Sequence, residues 1–427
     1  MTIFTAARVV TAGAVHSPGW FETGADGRIV AVGSAPGRRT DPPPNTTAVD
    51  LGDTTVVPGF VDMHVHGGGG GSYTDLDVAS VRRARDAHLR HGTTTTMASL
   101  VTADAERLRE QVVLMARLVG EGVVRGIHLE GPWISPLRGG AHDHAQLRVP
   151  EAAELETLFR LGEGRIRMVT LAPELPGGLD AVRRVVGLGA IAAVGHTDAS
   201  YEEVVDAIGA GATVATHLFN AMRPIHHREP GPVVALLGAP QVTVEMIADG
   251  THLHPSLYRH VLEAVGDDRV ALVTDAMAAA ALGDGHYRLG ELAVDVHDGV
   301  AHVAGTDTIA GSTTTMDALF RAAVHARGGV SDGALVSAVR QTAATPARTQ
   351  GWTDVGDLAA GRRADFVVLD DALRVVDVYL GGAPIGSLRG DPSGSPAGAP
   401  SHPPAGAPSH PPAGAPSHSE IDSEASS

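Results

Sequence analysis

Between residues 56 and 275 the chain repeats one unit: a short apolar run, an Ala/Leu/Arg-rich stretch, then another apolar run. The apolar runs occupy residues 56–66, 93–99, 124–130, 167–172, 190–196, 213–217, 242–248 and 270–275. Spacers such as DVASVRRARDAHLRHG and YEEVVDAIGAG are long enough for a covering helix. Parallel strands need such crossovers, and eight strand–helix units in one block predict an α/β fold, a (β/α)8 TIM-like barrel. Two β-rich pieces flank it. ARVVTA and GRIVAVG lie near the start, and GRRADFVVLD and RVVDVYLGG fill residues 361–382. They predict a small β-sandwich domain built from both termini. The expected division is 1–52 and 353–388 for that domain, 53–352 for the catalytic barrel, and 389–427 for a tail. The tail repeats PAGAPSHP and lacks large apolar residues, so it is expected to be disordered. Its His402, His410 and His418 are read as solvated, with loose metal binding as the alternative.

Composition narrows the chemistry. With 43% hydrophobic residues in 427, a large core is available. A net charge of -17 disfavours a nucleic-acid or anionic-membrane partner, yet leaves room for one small anion held by a few arginines. Cysteine is absent, which removes disulfides and thiolate ligands. Lysine is absent too, so all 32 basic residues are arginine. That removes Schiff-base, Walker and carbamylated-lysine chemistry. No basic leader with an apolar core opens the chain, and no run nears the roughly 20 apolar residues of a membrane span. A cytoplasmic location is expected.

Five of the eight predicted strands close on imidazole or carboxylate. The first ends in His64 and His66, the third in His128 and Glu130, the fifth in His196, the sixth in His217 and the eighth in Asp275. Barrel active sites sit at the C-terminal strand ends. Five strands therefore deliver imidazole or carboxylate to one rim, and these ligands suit zinc, iron, manganese or cobalt. A lone H-x-H or a lone strand-end Asp is ordinarily structural; the joint placement points to a metal centre. Five glycines follow His66, and absent side chains are expected to leave space over the barrel mouth. No GK[ST] follows, which argues against a phosphate loop.

The motifs PGFVDMHVHG, HLEGPWISP, GAH, VGHTDA, THLFNAM, REPG, ADGTHLHP, LVTDAM and AGSTTTMDAL occur in this order. Over about residues 3–385 the chain resembles the N-acetylglucosamine-6-phosphate deacetylase branch of the amidohydrolase superfamily. The resemblance implies one or two divalent ions per subunit, zinc first. His196 and His217 match ligands of the main metal, Glu130 its carboxylate ligand, and His64 and His66 ligands of a second. Asp275 matches the catalytic aspartate and a metal-side carboxylate. Ala141, His142, Asn220, Ala221, Arg228, His252, Ile309, Ala310 and Gly311 match substrate-facing positions. The implied reaction is hydrolysis of the acetamide of N-acetyl-D-glucosamine 6-phosphate to D-glucosamine 6-phosphate and acetate, in amino-sugar catabolism and cell-wall recycling. The galactosamine epimer is the alternative substrate. The resemblance also implies a homodimer, with Arg228 reaching the neighbouring subunit's site.

Other residues are read as structural. His226, His227, His254 and His144 are expected in loops, His91 at a helix end, and Met63 in the core. Asp62 is expected to orient a ligand. Parity places His128 on the face of Glu130, beside the metals or turned from them. A cyclic-amide hydrolase or deaminase on the same scaffold, and a non-catalytic metal-binding relative, are the competing classes; HLFNAM and REPG speak against the former, the full ligand set against the latter.

Overall fold

The computed structural model describes residues 1–35 and 46–386. The tail expected at 389–427, its three histidines, and the last two residues of the 353–388 piece lie outside the described residues.

All eight expected strand positions form barrel staves. The first is Phe60–Asp62 and pairs in parallel with Thr93–Thr96. The second continues as Ala98–Leu100, which opens a seven-stranded parallel sheet. Ile127–Glu130, Ile166–Leu171, Ile191–Val194, Val214–Ala215, Thr243–Met246 and Val270–Leu272 follow in chain order. The ring closes just beyond the last strand, where the Asp275 N–H donates to His64 O at 2.8 Å. Inside sit Val61, Met63, Met97, Met168, Ala193, Val214, Ile247, Ala271 and Val273, all buried. This is a filled barrel, with flexible methionines fitting the irregular gaps.

The run at 56–66 serves two sheets rather than one strand. Thr55–Pro58 pairs with Arg8–Val10 and Phe366–Leu369 in a six-stranded sheet, whereas Phe60–Asp62 enters the barrel. Gly59 is the switch: a Cβ there would overlap the Thr94 side chain. Both chain ends thus supply strands to one sheet. A four-stranded sheet, in the order Ile29–Ser34, Gly19–Thr23, Thr2–Ala6, Thr47–Asp50, packs beside it. Phe4, Phe21, Phe366 and Tyr379 knit the two, with ring centroids 4.3–5.7 Å apart. The described residues group as one compact unit. One element was not anticipated. Gly285–Leu289, Leu292–His297 and Val300–Val303 form a three-stranded antiparallel sheet between the eighth stave and the helix Met316–Ala326.

The glycines after His66 do not leave open space. Gly67–Gly68 and Gly71–Ser72 pair as a tight antiparallel turn, and Gly69 and Gly70 take positive φ of 57° and 79°. The turn lies on the helix Val78–Arg90. A Cβ on Gly71 would run into the Ser80 carbonyl, and one on Gly68 would approach His88 Nε2 to 2.8 Å. His88 itself is buried, with Nε2 donating to Gly67 O at 2.8 Å, and desolvation pushes its pKa down to about 4, keeping it neutral. The glycines exist for close approach between backbones.

Gly71→Ala is therefore expected to cost on the order of 1–3 kcal/mol, as overpacking does. Gly187→Ala, with nothing within 4 Å of the added Cβ, is expected to be neutral or stabilising. Thermal melting of the two variants checks this; equal midpoints would contradict the packing account.

Candidate metal centre and active site

Backbone strain aims the site. His196, His217 and Asp275 lie just past their strands with φ of 49°, 24° and 47°. Such left-handed conformations cost non-glycine residues roughly 1–2 kcal/mol each, and they cluster where surrounding structure needs a side chain turned. Here all three turn toward the carboxylate of Glu130, the last residue of its strand.

Glu130 is the hub. Its Oε1 lies 3.1 Å from His196 Nε2 and 3.0 Å from His217 Nε2. Its Oε2 lies 3.1 Å from His66 Nε2, 3.4 Å from His64 Nε2 and 3.6 Å from His142 Nε2. Asp275 Oδ1 is 3.0 Å from His66 Nε2 and 3.4 Å from His64 Nε2. His64, His66, Glu130, His142, His196, His217 and Asp275 are all buried. Two overlapping groups have ligand atoms close enough to hold an ion: His64, His66, Glu130 and Asp275, and Glu130, His142 and His196.

The donor set fits divalent metal on a test of tautomers. His66 Nδ1 faces Ser99 O at 3.1 Å, His196 Nδ1 faces Arg138 O at 2.8 Å, and His64 Nδ1 faces Glu245 Oε2 at 3.0 Å. Each partner only accepts, so each Nδ1 carries a proton and each Nε2 is the nitrogen left to take a second proton or a metal ion. The Nε2 atoms of His196 and His217 then meet at 3.1 Å, and those of His64 and His66 at 3.2 Å. Ring nitrogens so close, around two carboxylates, call for cations between them. Outer hydrogen bonds of this kind are the usual support of metal-ligating histidines.

The electrostatics agree. Burial disfavours a charged His64, but Glu130, Asp275 and Glu245 outweigh it and lift its pKa well above the imidazole range. His66 likewise loses charge stability to burial but is carried up to about 9 by Asp275 and Glu130. Burial raises a carboxyl pKa, yet His64 and its neighbours hold Glu130 and Asp275 well below the usual carboxylate range. Burial pushes His196 down to about 4. The cluster pulls protons onto His64 and His66, the positions a cation would take.

A cavity of about 320 Å³ opens onto these groups. Its walls include Ala141, His142, Asn220, Ala221, His252, Ile309 and Gly311. Ala310 is fully buried in the core cluster beneath, and Arg228 lies on the surface outside the walls, with Nη1 donating to His227 Nε2 at 2.7 Å. His142 is fixed from behind: the Thr102 N–H donates to its Nδ1 at 3.3 Å, which leaves Nε2–H toward Glu130. His252 leans on Asp249 at 2.8 Å.

The structural residues fall out clearly. His128 is turned from the cluster, bonded to Ser99 Oγ at 2.9 Å and Thr170 Oγ1 at 2.8 Å, and burial keeps it neutral. Asp62 accepts from Thr274 Oγ1 at 2.5 Å and from the His64 and Thr274 N–H groups, so it braces first stave against eighth. Burial pushes its pKa up to about 7. His254 caps the helix Pro255–Val265, and His91 caps the helix Val78–Arg90. His226 and His227 are exposed.

Sequence reasoning missed Glu245, Arg138 and the apolar wall of Val101 and Leu289. Glu245 had a signal: it is the lone charge in an otherwise apolar stave, in phase with the inward Ile247. Arg138 lines the cavity and pairs with Asp198 at 2.7 Å.

A (β/α)8 barrel with imidazoles and carboxylates gathered at its strand ends has the architecture of a metal-assisted hydrolase. The amidohydrolase family profile matches residues 55–391. Human N-acetylglucosamine-6-phosphate deacetylase is 38% identical over 349 residues, covering 78% of this chain and 84% of that protein. N-acetylgalactosamine-6-phosphate deacetylase of Escherichia coli O157:H7 is 36% identical over 332 residues, 76% of this chain and 86% of that one. The solved structure of a mutant N-acetyl-D-glucosamine-6-phosphate deacetylase from Mycobacterium smegmatis, in complex with N-acetyl-D-glucosamine-6-phosphate, superposes with a TM-score of 0.85 at 51% identity, covering 90% of this chain and 98% of that chain. The chain belongs to the amidohydrolase family.

Metal loading is expected to release protons, because His64 and His66 hold them in the metal-free state at neutral pH. Zinc affinity should rise with pH until the folded-state values are passed, about 9 for His66. Calorimetric titration in two buffers of different ionisation enthalpy measures this; identical heats would contradict the proton inventory.

Proposed function

We propose that this chain hydrolyses the acetamide of N-acetyl-D-glucosamine 6-phosphate, yielding D-glucosamine 6-phosphate and acetate. The observation carrying the reading is the Glu130-centred cluster at the foot of a cavity in the size range of small-molecule sites. The kinship with deacetylases of phosphorylated amino sugars supports the substrate class. The galactosamine epimer is the second reading, supported by the Escherichia coli relative. Rates on the two epimers separate them, and an equal or reversed preference would defeat the glucosamine assignment.

In this reading His196, His217 and Glu130 would hold one ion, and His64 and His66 with Glu130 and Asp275 would hold a second. Imidazole and carboxylate without thiolate suit zinc, our first choice, and also iron, manganese or cobalt. A bound divalent ion supplies Lewis acidity toward the carbonyl and lowers the pKa of water. The side chains do the rest. His142 offers Nε2–H to the acetyl carbonyl oxygen, its ring pinned by Thr102. Asp275 is ionised at neutral pH and takes the proton of the attacking water. It then returns that proton to the departing amine nitrogen, which is a poor leaving group unprotonated. Asn220, Ala221, His252, Ile309 and Gly311 shape the sugar pocket, with Ala141 beside His142. Ala310 supports this loop from within the core.

The phosphate needs a cation. Arg138, the cavity's own guanidinium, is engaged by Asp198. We therefore assign the phosphate to Arg228, which is suited to bidentate contact, acting from a neighbouring copy in a homodimer. Trapping of a phosphorylated substrate by charge supports a cytoplasmic site of action; among the described residues no helix is long and apolar enough to cross a membrane.

Asp275→Asn is expected to keep the ion at His196, His217 and Glu130 and lose roughly 10²–10⁴-fold in kcat. Parent-like turnover by a metal-loaded variant would remove the proton-transfer role. Arg228→Ala should raise KM far more for the phosphorylated sugar than for N-acetylglucosamine. Equal effects on both would remove the phosphate role.

A further inference from the structure

Of the polar groups behind the site, Glu245 is the one the reaction leaves without a task. It lies mid-strand in Thr243–Met246, fully buried, flanked by Val244 and Met246. Its Oε2 touches two things at once. It accepts from His64 Nδ1 at 3.0 Å and from the backbone N–H of His217 at 3.2 Å. Its backbone carbonyl accepts from the Leu218 N–H at 2.9 Å. Its Oε1 is buried and has no partner among the described residues.

A carboxylate in an apolar stave costs free energy unless it does something for its neighbours. Its neighbours here are ligands from two different ion positions. His64 belongs to the first-strand pair, and His217 faces the opposite oxygen of Glu130. The backs of His66 and His196 rest on neutral carbonyls, Ser99 O and Arg138 O. Among the described residues, His64 is the cluster imidazole whose Nδ1 rests on a carboxylate. A carboxylate behind an imidazole locks the Nδ1–H tautomer and makes Nε2 a stronger donor. The pinned His217 N–H also fixes the strained turn, φ 24°, that aims this ligand.

We propose that Glu245 is a positioning residue that makes the His64/His66 pair a metal-holding site and ties its geometry to that of His217. This rests on the two-ion reading of the proposed function. The seventh stave thereby determines whether the second ion is retained.

The test uses the full chain, stripped with chelator and reloaded with zinc. Zinc per chain and affinity by competition with a chromophoric chelator are measured for the parent, Glu245→Gln, Glu245→Leu and His66→Ala. Glu245→Gln keeps shape and one acceptor, and metal-free melting checks that it folds. The expected result is a weaker-bound ion whose affinity drops ~10–100-fold in Glu245→Gln. That ion should be lost in Glu245→Leu and His66→Ala, with the tighter ion kept in all three. If His66→Ala loses an ion while both Glu245 variants load like the parent, the positioning role is overturned and the two-ion reading stands. If Glu245→Gln weakens both ions equally, the residue is a general fold element and the proposal fails. If His66→Ala itself loads like the parent, the two-ion reading falls and the proposal falls with it.

Discussion

One carboxylate organises this molecule. Glu130 sits at the end of a central stave, buried, with five imidazole nitrogens within 3.6 Å of its two oxygens. Burying a lone carboxylate is prohibitive, and burying it among neutral imidazoles is little better. The arrangement is stable only with positive charge in its midst, as protons or as metal. The rest of the site follows from keeping that charge in register. Each ligand histidine with a braced Nδ1 leans on a fixed acceptor, and His196, His217 and Asp275 accept backbone strain to converge.

The barrel makes this convergence possible. Its interior is filled by methionine and β-branched side chains, so the strand ends cannot drift. The Asp275-to-His64 backbone bond and the Asp62–Thr274 contact close the ring beside the Asp275 carboxylate. The chemistry therefore stands on the rigid part of the fold. The cavity proposed to take the substrate is walled instead by connections: the turn carrying Arg138 to His142, the segment after His217, and the loop at Thr308 to Gly311. The antiparallel insert contributes Leu289 to the same wall. Reaction type and substrate choice thus reside in separate parts of the chain.

Much of this was legible in the residues. The eight staves were visible as apolar runs, and the polar last residues of five of them named side chains that gather around Glu130, because barrels place function at one end of every strand. What stayed hidden depends on neighbours far away in sequence. Gly59 and Gly71 are needed because Thr94 and Ser80 press against them, and a single chain records no such contact. The glycine turn accordingly reads as open space in sequence and packs tight in three dimensions. Glu245 is visible in sequence as the lone charge of its stave, but its task depends on its partner, His64. The insert at 285–303 has alternating residues, yet nothing in a barrel pattern requires it. Ala310 shares a motif with the cavity residue Gly311, and Arg228 follows Asn220 and Ala221 in sequence, yet neither lines the cavity, since proximity in sequence does not dictate which way a loop faces.

The central claim, that Glu130 and its imidazoles form a metal centre, is most directly tested by anomalous X-ray scattering at the zinc edge from crystals of zinc-loaded protein. The account predicts a peak bonded to Glu130 Oε1, His196 Nε2 and His217 Nε2, at the ~2.0–2.2 Å typical of zinc with nitrogen and oxygen ligands. A zinc peak elsewhere, with those three atoms uncoordinated, would contradict it.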